Sequence, residues 1–567
     1  MKIDRYSKPI VALFFVLFLV IGLFVYRDYG VPWDEPQENQ LLYDNVVRIE
    51  ATLGLMTQKQ ASKYPDIATA GARDHGQAFY YPIGFYRMAN PSMTTNQVFY
   101  LRHIYTYFIC MFGLLCLYLL VKRLTSNWKY GLIAVIIAFL SPRMFGEYFY
   151  NYKDVVAMIG AIMVMHFFAL LVEKDTKRWA VILGVVSAFV LNTRIMTVLF
   201  LLLAVVFYVV RKIALRSLNL KSFLIIGITA VSAMITYYVI TPAMWSNPIG
   251  FIHIVVHGAS NYAGWNGNVL YMGQIFSPKK HPLPWHYLPV TIAMTTPVFV
   301  LITFLFGLGR NIAEIFVRKA KYLASQSGMV GLILLFTLVS LIAPILMKSN
   351  VYNGWRHLYF IYSGMLVASV WGLKWFIENK AKILRGAAVI VFCIHITVMS
   401  AWIIVNHPYE YAYYNMASAR YADTNFATDY WCLSTPNLVK MIMQNSAASK
   451  VYLINAGTSS LSGFSGRYGY ENFMLTPEQA KRFHVITLAE LKKMNTKNAD
   501  DPNIEFYLMI NTTYSELSAR RGQHLYVDDG VNYNALPVTY EIRLTGGYPI
   551  CMTYWLQPQN VLYMMQH

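Results

Sequence analysis

Long apolar runs alternate with short basic segments over the first 405 residues. Runs of roughly 17–25 apolar residues match the thickness of a bilayer core. About eleven occur, near 9–26, 98–121, 130–145, 154–172, 179–197, 198–210, 222–240, 288–309, 327–347, 358–377 and 384–405. Asn192-Thr193-Arg194 interrupts the pair at 179–210. Two long polar–apolar segments, 27–97 and 241–287, separate some of them. Within the first, Asn39 to Leu55 has helical spacing, with Leu42, Val46, Ile49 and Leu53 on one side. Such a stripe suits a helix on the membrane surface or one packed on the bundle.

After residue 405 the pattern changes to charged positions punctuated by turns at Pro436, Gly457, Gly463, Gly466 and Gly546-Gly547. Residues 450–454 and 504–510 read as buried strands, and 538–544 with 550–556 as a hairpin around the paired glycines. Thr428 to Asn445 and Thr476 to Phe483 read as helices. The chain is therefore expected to be an α-helical polytopic membrane protein over 1–405, followed by a small extracytoplasmic α/β domain over 406–567.

Composition agrees. The 567 residues are 56% apolar and only 13% charged, against about 25% in soluble domains. Mean hydropathy is +0.40. The net charge of +19 lies largely in short segments between spans: Lys2, Arg5 and Lys8, then Lys122 and Arg123, Lys174 to Arg178, Arg211 to Lys221, Arg310 to Lys321, and Lys374 to Arg385. Positive segments stay on the cytoplasmic side. This puts the N-terminus inside, in a bacterial inner membrane, and 27–97, 241–287 and the final domain outside. It also explains the charge without nucleic acid. The apolar start lacks a small-residue cleavage site and reads as an uncleaved first helix. Cys110, Cys116 and Cys393 fall in spans as packing residues, and Cys432 and Cys551 are spaced so that a disulfide is allowed.

Candidate chemistry lies at the outer span ends, where ionisable groups are costly. Asp34-Glu35 stands between Pro32 and Pro36, beside Trp33. Asp34 suits a turn before proline, or a general base. Arg143 and Glu147 precede Asn151-Tyr152-Lys153-Asp154. Asn151 and Asp154 suit a helix N-terminus, whereas Lys153 is unfavourable there unless an anion is nearby. Arg194 suits either snorkelling to lipid phosphate or a functional anion. Arg356, in Gly354-Trp355-Arg356-His357, suits bidentate phosphate binding. His253 and His257 have metal-pair spacing, but no nearby acid completes a site, so no metal is expected. Asn511-Thr512-Thr513 is a formal glycosylation sequon without meaning in a bacterial host.

These motifs, in this order, resemble the GT-C class of integral-membrane glycosyltransferases, especially the protein O-mannosyltransferase and aminoarabinose transferase (family 39-like) branch. The resemblance rests on Asp34-Glu35 after the first span, Asn151-Tyr152-Lys153-Asp154, Pro284-Trp285-His286-Tyr287-Leu288-Pro289 with Thr295-Thr296-Pro297, and Gly354-Trp355-Arg356-His357. It covers most of 1–405. It implies a polyprenyl-phosphate-linked sugar donor, inversion at the anomeric carbon, and an extracytoplasmic acceptor: envelope glycan, lipid A or protein. The final domain does not look like the β-trefoil of eukaryotic protein mannosyltransferases. Asp34 is then the base, with Glu35 supporting or replacing it, and Asp154 shapes the acceptor site or orients a cation. Arg143, Lys153, Arg194, Arg356 and His357 are candidates for the donor phosphate. One phosphate can be held by side-chain cations, so no cofactor is expected. A transporter or flippase for an anionic or lipid-linked substrate is the alternative, with the same charges lining a pathway.

Overall fold

The computed structural model describes residues 7–261, 267–455, 474–511 and 536–566. Lys2, Arg5, Gly457, Gly463, Gly466 and the Thr512-Thr513 end of the sequon lie outside them. Among the described residues nine helices are long and apolar enough to cross a membrane, and ten if one bent pair is a single span. They leave Leu13, Leu17 and Phe24 of the first helix, and Ile390, Ile394 and Val405 of the last, exposed. Apolar surface of this extent is stable against lipid and not against water. The protein is a multi-pass membrane protein.

Each of the eleven apolar runs contains a helix, but two fall outside the nine. The 130–145 run is broken into Trp128–Phe139 and Pro142–Tyr150, which meet at 76°. Ser141, ahead of Pro142, is extended at ψ 106°, because the proline ring disfavours the helical conformation in the preceding residue. The 179–197 run gives Lys177–Thr193, only 17 residues, or about 25 Å at the helical rise. The 288–309 run is also broken. Thr296 is extended before Pro297, separating Tyr287–Thr295 from the longer Val298–Arg318.

The helix expected from Asn39 starts earlier, at Glu35, with a proline in its first turn. The first half of its stripe packs on the bundle, with Leu42 and Val46 joining Tyr80, Ile83, Tyr152 and Val156 in one core, whereas Leu53 is exposed. A short hairpin, β1 (Val269–Tyr271) and β2 (Gln274–Phe276), follows the helix Pro248–Asn261.

The C-terminal sheet contains β3 (Lys450–Asn455), β4 (Phe483–Thr487), β5 (Ile504–Asn511), β6 (Tyr540–Arg543) and β7 (Pro549–Trp555), ordered β4-β3-β5-β7-β6. β3 runs parallel to β4 and β5, whereas β7 is antiparallel to both β5 and β6. The β6–β7 turn uses Gly546 and Gly547 at φ 109° and 85°, a region side chains avoid. β4 was hidden in sequence by its abrupt start after Arg482, where the helix Pro477–Arg482 ends. The helix expected from Thr428 begins only at Ser434, after Cys432 in a left-handed conformation. Cys432 and Cys551 are buried free thiols, and Cys393 is exposed rather than packed.

The compositional change at residue 406 is not a packing boundary. Tyr411, Tyr414, Tyr430, Trp431, Tyr548 and Ile550 belong to the same core as the helices. Residues 406–433 pack against the end of the bundle that carries the candidate site.

Candidate functional site

Six segments distant in sequence, among them 71–75 and 253–258, meet at a cavity of about 720 Å³. Trp33, Asp34 and Glu38 come from the start of the helix Glu35–Thr52, Lys153 from the entry to Asp154–Lys174, Arg194 from the helix break, and Tyr352 from the loop before Trp355.

Asp34 is the N-cap of its helix, yet its side chain makes no capping bond. Its Oδ2 instead accepts from Lys153 Nζ at 2.9 Å and from Arg356 Nη1 at 3.3 Å. Glu38, one turn on, therefore shares the face of Asp34. Its Oε1 accepts from the same Lys153 ammonium at 3.3 Å and lies 2.7 Å from His75 Nδ1. Its Oε2 accepts from Gln77 Nε2. Burial opposes ionisation of Asp34, but Lys153 and Arg356 outweigh it and hold the carboxyl well below the usual range. Glu38 is likewise held at about 2, with burial outweighed by Lys153 and His75. Burial also works against the Lys153 charge, and Asp34 and Glu38 more than reverse it. The anion that makes Lys153 tolerable at a helix start is thus a pair of carboxylates.

Local folding sets these positions. Asn151 Oδ1 accepts from the backbone N–H of Asp154 at 2.8 Å, fixing the turn that presents Lys153. Asp154 is buried, paired with Arg194 (Nε to Oδ1 3.1 Å), and 3.9 Å from Arg356. It orients two cations. Arg356 is 3% exposed and lies behind Asp34. Asn353 and Gly354, both at positive φ, turn the chain into Trp355-Arg356. The Tyr287 hydroxyl accepts from the Gly354 N–H, and Thr295 Oγ1 accepts from the Trp355 indole, each near 2.8–2.9 Å. The Pro284–Pro289 and Thr295–Pro297 motifs therefore anchor the arginine loop.

Three predicted residues are placed elsewhere. Glu35 is fully buried against Arg102 (3.7 Å) and His103 (3.1 Å), away from the cavity. Successive residues at a helix start point in different directions, so Glu35 cannot share the face of Asp34. Arg143 is buried and donates to the Tyr413 carbonyl and the Tyr430 hydroxyl. His357 is buried beside Tyr352, ring centres 4.6 Å apart.

Sequence reasoning missed Glu38, His75 and Gln77. The i, i+4 relation of Asp34 and Glu38 was legible, whereas His75 and Gln77 arrive by tertiary packing. Arg102 holds this arrangement from below. It is sandwiched between the Tyr80 and Tyr152 rings at 4.7 and 4.4 Å. It donates to Asn39 Oδ1 and Gln77 Oε1 at 3.1 and 3.2 Å, so the Gln77 amide nitrogen is turned to Glu38. His253 and His257 also line the cavity, with ring centres 6.2 Å apart. Among the described residues no group of three His, Cys, Asp or Glu side chains could hold a metal ion.

No protein-family model matches the sequence, and no curated protein matches it. Among solved structures the chain is similar to the apo oligosaccharyltransferase of Archaeoglobus fulgidus, with 11% identity, TM-score 0.42, and 90% of this chain and 70% of that one covered. It is also similar to ArnT of Cupriavidus metallidurans bound to undecaprenyl phosphate, with 11% identity, TM-score 0.41, and 95% and 97% covered. Likeness at these scores assigns no chemistry to the cavity.

The arrangement itself is compatible with one. A carboxylate faces a water-sized to sugar-sized space beside an ammonium and a guanidinium. It can take a proton from a hydroxyl while neighbouring cations hold an anionic leaving group.

Proposed function

We propose that the protein is an inverting glycosyltransferase of the GT-C kind, moving a sugar from a polyprenyl phosphate to an extracytoplasmic acceptor. The observation that carries this reading is Lys153 and Arg194 lining one cavity with Asp34. The motif order noted in the sequence supports it, as does the membrane-embedded bundle that would deliver a lipid tail. Asp34 is the general base. Lys153 and Arg194 seat the donor phosphate, Asp154 orients Arg194, and Arg356 holds Asp34 from behind. Glu38 fixes Lys153. Glu35, Arg143 and His357 are left with structural roles. Trp33, half exposed at the cavity wall, offers a ring face for sugar.

In the reaction the acceptor oxygen bonds to the anomeric carbon from the face opposite the phosphate. The bond from that carbon to the phosphate oxygen breaks, its electron pair stays on the phosphate, and the acceptor proton passes to Asp34. On the orientation expected from the basic segments, the cavity faces the periplasm of a bacterial inner membrane. The acceptor is an envelope glycan, lipid A or protein.

The test is transfer from a panel of radiolabelled polyprenyl-phosphate sugars in membranes, wild type against Asp34→Asn. Transfer by wild type, lost in the variant with donor binding retained, is the expected result. Equal transfer by both removes Asp34 as the base.

A further inference from the structure

The ion pairs at the cavity wall are complete before any substrate arrives. Lys153 Nζ already donates to Asp34 and Glu38, and Arg194 is paired with Asp154. Three carboxylates (Asp34, Glu38, Asp154) face three cations (Lys153, Arg194, Arg356). A phosphate reaching this wall gains Lys153 only by displacing an acceptor it already has. Of the two acceptors Glu38 is the fixed one: its side chain is 2% exposed, and His75 and Gln77 also hold it. Asp34 is the displaceable one. It is 23% exposed, and Arg356 remains behind it when the ammonium leaves.

We propose that the donor's phosphate and the Asp34 carboxylate compete for Lys153, so that the base is freed only when lipid phosphate is bound and its return as an anion expels the product. This rests on the reading of the cavity as a lipid-phosphate glycosyltransferase site. Before binding, Lys153 quenches the basicity of Asp34, which protects the site from idle proton chemistry. When the phosphodiester takes the ammonium, Asp34 is left to face the acceptor hydroxyl. During transfer the phosphodiester monoanion becomes a monoester and gains one negative charge as Asp34 gains the proton, so the charge of the site does not change. The change comes afterwards. When Asp34 gives its proton to water, its carboxylate again competes for Lys153 and drives out the polyprenyl phosphate, which would otherwise bind these cations more tightly than the donor did.

The experiment measures equilibrium binding of polyprenyl monophosphate, and of neutral polyprenol as control, to the full-length protein in lipid nanodiscs. Asp34→Asn is expected to bind the phosphate about tenfold more tightly than wild type, roughly 1.4 kcal/mol, with polyprenol binding unchanged. Lys153→Met is expected to bind it several-fold more weakly. In the Lys153→Met background, Asn at 34 should give no further gain, because the contested group is absent. Equal or weaker binding by Asp34→Asn, with Lys153→Met still weakened, overturns the competition and leaves the phosphate seat standing. A gain at 34 that persists without Lys153 reduces it to plain charge repulsion and also overturns it. Unchanged binding by Lys153→Met removes the phosphate seat and the functional reading with it. Asp34→Ser makes the same comparison if Asp34→Asn does not fold.

Discussion

The Trp431 indole lies 4.5 Å from the Arg356 guanidinium, and Arg356 in turn donates to Asp34. Trp431 belongs to the region that composition assigns to the final domain, yet it forms the back wall of the site. Its carbonyl also accepts the Trp33 N–H at 3.2 Å. The region around Trp431 is thus tied to the loop carrying Asp34, the proposed base. A buried cation–π contact contributes up to about 2 kcal/mol. Trp431→Leu is expected to lower kcat by about tenfold or more, by letting Arg356 and Asp34 drift, while donor binding at Lys153 and Arg194 changes little. Steady-state transfer kinetics separate the two. A variant with unchanged kcat would detach the C-terminal region from the chemistry.

Asp34 and Glu35 are adjacent in sequence and separate in surroundings, so on the proposed function substitution should split them. Asp34→Asn removes a partly exposed carboxylate and is expected to abolish transfer with little loss of stability. Glu35→Gln leaves the buried Arg102 without its counter-charge. Breaking such a pair costs about 3–5 kcal/mol. Glu35→Gln should therefore lower the midpoint of thermal unfolding in detergent strongly, with specific activity of the folded fraction preserved. Opposite behaviour of the two variants would exchange their assignments.

Much of this was legible in sequence, and the failures share a cause. Nine spans, the strands β3 and β5, the hairpin β6–β7 and the Asn151 turn follow from local periodicity and turn chemistry, which each segment carries in itself. Asp34, Lys153, Arg194 and Arg356, conspicuous in sequence as charges at span ends, are brought together by the fold. Glu35, Arg143 and His357 lie away from the cavity, because sequence gives the depth of a side chain but not its direction around the helix. Glu38 looked like one more polar residue on a surface helix, and His75 and Gln77 reach it only once the 27–97 segment is folded. Breaks before Pro142 and Pro297 were missed because a span-length window averages over a few polar positions and does not register a single extended residue.

Gly354 offers a test of backbone rather than charge. Its φ is 72°, and no atom lies within 4 Å of where a Cβ would be. Alanine there meets no clash, so only the left-handed conformation is penalised, by about 1–2 kcal/mol. Gly354→Ala is expected to relax the turn, displace Arg356 from Asp34 and reduce transfer severalfold. The midpoint of unfolding should fall by only a few degrees. Full activity would show that the turn is not needed to hold Arg356.

His407 connects two segments next to span ends through charge and should make stability depend on pH. Its Nδ1 lies 2.6 Å from Glu410 and its Nε2 3.1 Å from Asp28, so the ring bridges the chain after the last span to the chain after the first. Burial disfavours the charged ring, but Glu410 and Asp28 outweigh that and raise its pKa. A raised pKa means that the folded protein holds the proton more tightly than the unfolded chain does. The stabilisation is complete below the unfolded value of about 6.5 and is lost as pH rises through the folded value. Charge-assisted hydrogen bonds of this kind contribute about 1.5–3 kcal/mol. With other titrations common to both proteins, the unfolding midpoint of wild type should fall relative to His407→Gln as pH rises from about 6.5 through the raised folded value. The difference between the two should be largest at the acid end. A difference independent of pH would mean that His407 acts through packing against Tyr29, whose ring centre is 5.2 Å away, and not through its charge.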